Sequence, residues 1–91
     1  MRIRTYATLR DLLGTSAIVL SLPDRVDVRY VLERLVEGYP SLGGKLWDAE
    51  GNWSGFVTVL LNGRSIEWLQ GLNTWVADDD ILSLFPPVGG G

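Results

Sequence analysis

The two residue types that carry most enzyme chemistry, cysteine and histidine, are missing from this 91-residue chain. A thiol nucleophile, an imidazole base and the usual soft metal ligands are thereby excluded. Ser16, Ser21, Ser41, Ser54, Ser65 and Ser83 have no histidine to activate them. No phosphate-cradling GxxxxGK[ST] or GxGxxG motif occurs. Asp78, Asp79 and Asp80 are neighbours in one short stretch. They are expected to form a tight turn before a strand, not to converge on a metal. One reactive group remains, the carboxylate of Gly91, which is ionised at neutral pH with a reference pKa of about 3.5. It follows Pro86-Pro87-Val88-Gly89-Gly90. A glycine run is ordinarily a linker or a frayed end. The alternative is that this carboxylate is itself the reagent and a partner brings the catalytic groups.

The tail suits that task. Extended, residues 86–91 reach at most ~20 Å. Pro86 and Pro87 set φ and stiffen the exit. Gly89, Gly90 and Gly91 lack Cβ, so the walls of a narrow channel could close on the backbone.

Something must hold that tail. Met1 to Ala7 alternates, with Met1, Ile3, Thr5 and Ala7 inward and Arg2, Arg4 and Tyr6 outward, and predicts a half-buried strand. Thr8 to Gly14 is a connector with about one helical turn. Ala17 to Leu22 predicts a second strand paired with the first. Asp27 is a good helix N-cap. Val28, Val31, Leu32, Leu35 and Val36 after it form one apolar stripe, ended by Gly38 and Pro40. Leu42 to Gly55 reads as irregular. Phe56 to Leu61 is the strongest strand, with the hairpin signal Asn62-Gly63 behind it. Arg64 to Glu67 predicts a short strand and Ile81 to Phe85 the last one. Trp47 and Trp75 are expected as half-buried loop supports, while Trp53 and Trp68 have no burial assignment.

One apolar helix stripe covers one face of one sheet. First and last strands are expected as parallel central neighbours. The prediction is an α+β chain of β-grasp type, a mixed four- to five-stranded sheet with one main helix. Residues 1–85 form the domain and 86–91 the extended tail. The face away from the helix collects Arg2, Arg4, Tyr6, Thr58, Leu60, Ile81, Ser83 and Phe85. Of these, Phe85, Ile81, Leu60, Arg4 and Tyr6 are the expected partner-docking residues, apolar groups beside arginines.

Composition agrees with a folded domain: 46% hydrophobic, 21% charged, net charge −3. No basic face for nucleic acid is implied. No apolar run approaches the ~18 residues of a membrane span, and no signal-peptide pattern follows Met1, so a cytoplasmic protein is expected.

Tyr6-Ala7-Thr8-Leu9-Arg10, Tyr39-Pro40-Ser41-Leu42, Val57 to Gly63 and above all Asp78 to Gly91 resemble the small sulfur carriers of ubiquitin-like fold, the MoaD/ThiS type. That group includes the small subunit of molybdopterin synthase. Asp79, Asn73-Thr74-Trp75 and Gly89 depart from the usual pattern. The resemblance implies a non-catalytic subunit that binds no cofactor. A ubiquitin-activating-type adenylyltransferase would spend ATP to adenylate Gly91, and sulfide would then leave a thiocarboxylate. The tail, Pro86, Pro87, Val88, Gly89 and Gly90, would enter a channel in a sulfur-accepting synthase large subunit as part of a hetero-oligomer. Molybdopterin synthesis is the leading expectation. The alternatives are sulfur donation for cysteine biosynthesis or tRNA thiolation, a protein modifier joined through Gly91 to lysines, and a plain interaction domain.

Overall fold

Asp27 starts the main helix as its spacing predicts: its carboxylate accepts the Tyr30 N–H at 2.9 Å. The computed structural model describes residues 1–87. In chain order the elements are β1 (Arg2–Thr5), α1 (Ala7–Leu13), β2 (Ala17–Val19), β3 (Val26–Asp27), α2 (Val28–Gly38), α3 (Gly43–Leu46), β4 (Thr58–Leu61), β5 (Arg64–Ser65), β6 (Trp75–Val76) and β7 (Ile81–Phe85). Single 3-10 turns lie at Pro40–Leu42, Ile66–Trp68 and Gly71–Asn73.

The main sheet runs β2-β1-β7-β4-β5. β1 and β7 are parallel and central, in the register Ile3 to Leu82 and Thr5 to Leu84. β4 is antiparallel to β7, with Val59 opposite Leu84 and Leu61 opposite Leu82. These residues point to one face, where Val28, Val31, Leu32 and Leu35 of α2 cover them. Leu42 and Leu46 are also completely buried, so the stretch read as irregular pins a short 3-10 turn and α3 to the core. Burying each such side chain stabilises by ~1.5–3 kcal/mol, which gives a chain of this size one sufficient core.

The structure corrects several expectations. Ala7 does not end the first strand. It is exposed, at φ 52°, and opens α1, which has two turns where one was expected. Leu9 and Leu13, four apart, are buried and hold α1 down. Gly14 then ends it at φ 74°, donating to the Arg10 carbonyl. β2 stops at Val19, and Leu20 and Leu22 are half-buried beyond it. Phe56 is not part of β4; it is 51% exposed and stands outside the sheet. Only Arg64 and Ser65 pair as β5. A second, two-stranded sheet, β3 with β6, was not foreseen. It ties the start of α2 to the segment before β7 through the pairs Val26–Val76 and Asp27–Trp75. Two-residue strands carry too little alternation to be read from sequence.

Trp47 is half-buried as expected, with Trp53 edge-on at 5.8 Å and the Arg29 guanidinium 5.4 Å from its ring centre. Trp75 is 68% exposed and supports no loop from within.

Candidate functional site

Pairing across the sheet builds the open face in rows. Arg2 lies between Val19 and Ile81. Ala17, Arg4, Ser83, Leu60 and Ser65 form the next row. Phe85 lies opposite Thr58 in the last. The expected docking residues Arg4, Leu60, Ile81 and Phe85 therefore share one face, away from α2. Ile81, Leu60 and Phe85 are half-buried and Arg4 is exposed. Tyr6 has just left β1, yet it joins them: its ring stacks on Phe85 with centroids 4.3 Å apart and planes 6° from parallel. Ala7, held left-handed at φ 52°, turns the chain there from β1 into α1.

The start of β7 is held as firmly as its end. Asn62, at φ 51°, accepts the Ile81 N–H on Oδ1 at 2.9 Å and donates from Nδ2 to Asp80 at 2.9 Å. Asp80 in turn accepts the Ala77 N–H at 2.8 Å. The three aspartates thus behave as a turn. Asp78 accepts the Leu22 N–H at 2.9 Å and the Met1 amino group at 3.1 Å. Those two donors hold its carboxyl below the ordinary 3.8. Among the described residues no acidic, histidine or cysteine cluster fits a metal ion.

β7 leads directly into Pro86 and Pro87, both half-buried. They line a groove of about 430 Å³ together with Thr8, Leu9 and Leu12 of α1, and with Lys45 and Phe56. The Lys45 ammonium lies 5.8 Å from the Phe56 ring centre. Sequence reasoning missed this groove. Reading Thr8 to Gly14 as two helical turns would have put Leu12 off the Leu9–Leu13 face and outward, where it is 40% exposed. Val88, Gly89, Gly90 and Gly91 lie outside the described residues.

A sheet whose central strand runs out into a Pro-Pro-Val-Gly-Gly-Gly tail has counterparts among known proteins. The sequence pattern of the ThiS family matches residues 3–91. The chain belongs to the ThiS family. It is similar to small archaeal modifier protein 3 of Haloferax volcanii, 37% identical over 91 residues that cover 100% of this chain and 98% of the relative. The crystal structure of small archaeal modifier protein 1 from the same organism superposes with a TM-score of 0.88 at 28% identity, covering 100% of this chain and 98% of that one. The solution structure of small archaeal modifier protein 1 from Methanosarcina acetivorans gives 0.83 at 32% identity, covering 99% and 94%. This ThiS-family chain is thus a ubiquitin-like β-grasp protein of the modifier and sulfur-carrier kind, small and non-catalytic. Its relatives bear the word modifier, which weights the conjugation alternative above the molybdopterin expectation. Among the described residues no helix is long and apolar enough to cross a membrane.

Proposed function

We propose that this chain is a protein modifier: its Gly91 carboxylate is activated by a ubiquitin-activating-type adenylyltransferase and joined to lysine amines of other proteins. In the first step the carboxylate attacks the α-phosphorus of ATP and pyrophosphate leaves. In the second a lysine amine adds to the acyl carbon, AMP leaves with its bonding pair, and the amine gives up a proton. The full-length likeness to small archaeal modifier protein 3, tail included, carries this reading. The open face with Arg4, Tyr6, Leu60, Ile81 and Phe85 would dock on the activating enzyme while Pro86, Pro87, Val88, Gly89 and Gly90 thread its channel. Residues 1–85 serve as the handle and 86–91 as the working part.

A second reading uses the same adenylate. Sulfide displaces AMP and leaves a thiocarboxylate, to be passed to a synthase that makes molybdopterin, cysteine or thiolated tRNA. The ThiS-family match and a chain without cysteine favour keeping it.

One experiment separates the two. The chain is incubated with the activating enzyme and ATP, first with an acceptor protein and then with sulfide. Isopeptide adducts that vanish on deleting Gly91 support the modifier. A mass gain equal to exchanging one oxygen for sulfur supports the carrier. Neither product would overturn both.

A further inference from the structure

Activated acyl groups react with primary amines, so the chain's own amines decide whether copies of it can be linked. It has one lysine, Lys45, since the other seven basic residues are Arg2, Arg4, Arg10, Arg25, Arg29, Arg34 and Arg64. The second amine is that of Met1. It is buried, donates to the Leu20 carbonyl at 2.6 Å and pairs with Asp78 at 3.1 Å. Lone-pair attack would require breaking both contacts and moving Met1 out of the core, where the residue is 4% exposed.

Lys45 is placed in the opposite way. It is exposed in the last turn of α3. Its backbone is fixed, because Leu46 beside it is completely buried and its own carbonyl accepts the Ser54 hydroxyl at 2.8 Å. The residue before it, Gly44, has open space where a Cβ would stand. An enzyme-held glycine tail can therefore approach along that side without meeting a side chain. The ammonium lies over Phe56, in the groove that Pro86 and Pro87 also line.

From this we infer that Lys45 is the acceptor through which copies of this chain are joined to one another, tail to side chain. The inference rests on the modifier reading and extends it from other proteins' lysines to the chain's own. The deprotonated Lys45 amine attacks the activated Gly91 carbonyl of a second copy. The new N–C bond replaces the acyl–oxygen bond to AMP, AMP departs with the electron pair, and the proton goes to solvent. The acceptor's own tail stays free for another round, so chains can grow.

The test uses the whole chain, its activating enzyme, ATP and an acceptor protein rich in lysine. Trypsin cuts last after Arg64, so a linked Lys45 carries the donor's residues 65–91 and is identified by mass. The expected result is that the wild type gives both chain-to-chain and chain-to-acceptor adducts. Lys45→Arg should lose only the former, and deleting Gly91 should lose both. Chain-to-chain adducts that persist in Lys45→Arg, or a wild type that modifies the acceptor and never itself, would overturn the assignment. A wild type that forms no adduct at all would overturn the modifier reading and this inference with it. Limiting acetylation by an active ester adds a check free of enzyme: Lys45 should react well before Met1, and the reverse order would also reject the assignment.

Discussion

Tyr6 and Phe85 lie ring on ring, 4.3 Å between centroids, at the point where β7 hands over to the tail. The first follows β1 and the last residue of β7 is its partner, so the two parallel central strands are clasped at the end from which the tail departs. An aromatic pair of this kind adds ~0.5–1.5 kcal/mol beyond the area it buries.

Replacing Phe85 by Asp should therefore weaken binding to the activating enzyme while leaving the fold in place, because Phe85 stands on the open face and not among the α2 contacts. Tyr6→Ala should do the same more mildly and lower stability by about 1 kcal/mol. Calorimetric titration with the enzyme, beside urea unfolding, measures both. Unchanged affinity in Phe85→Asp would remove the open face from the docking surface.

Ala7 is exposed and left-handed, at φ 52°. That conformation costs an L-residue roughly 1–2 kcal/mol, and glycine adopts it freely at some cost in unfolded-state entropy. Ala7→Gly should accordingly stabilise the chain by roughly 0.5–1 kcal/mol in denaturant titration. A loss of stability would mean that the Ala7 methyl group has a packing role.

Asn62 carries two separable burdens, a left-handed turn and a side-chain bracket on Asp80 and Ile81. Asn62→Gly keeps the first and loses the second; Asn62→Ala loses both. We expect a cost of about 1–2 kcal/mol for glycine and roughly 1 kcal/mol more for alanine. Equal costs would show that backbone conformation contributes nothing at this turn.

Asp78 predicts a pH dependence. Chiefly the Leu22 N–H, and after it the Met1 amino group, lower its pKa from 3.8. A carboxyl whose pKa is lower folded than unfolded lends stability above the ordinary value, and that stability is lost as the pH falls through the lowered one. The acid limb of the stability curve, followed by tryptophan fluorescence below about pH 4, should be shallower in Asp78→Asn. The side chain is 65% exposed, so salt should narrow the difference between the two proteins. An unchanged acid limb would exclude Asp78 as a contributor.

Much of this was legible in the chain, for reasons that also mark where reading stops. The α2 stripe repeats with a clean helical period behind a good cap, and the core face of β1 and β7 alternates over enough residues to be unambiguous. The parallel pairing of β1 with β7 followed from one helix having to cover one sheet. Phe56 misled because it is β-prone and adjoins a strong strand. Its ring goes to Lys45, outside the ladder. Ala7 misled because nothing in its chemistry announces a left-handed turn. Tyr6 was placed on the right face, but its clasp on Phe85 joins residues 79 positions apart and depends on that turn. The groove beside Pro86 needed three separate segments to meet, and no local pattern encodes such a meeting.

The position of β7 has a mechanical consequence. It is tied on one side to β1 and on the other to β4. A pull on Pro86 along the strand would strain both ladders sideways and at once, since their hydrogen bonds run across the direction of force. Load arriving through the tail, as when a motor hauls on a cargo fastened there, meets the best-anchored strand in the molecule before it reaches anything that frays.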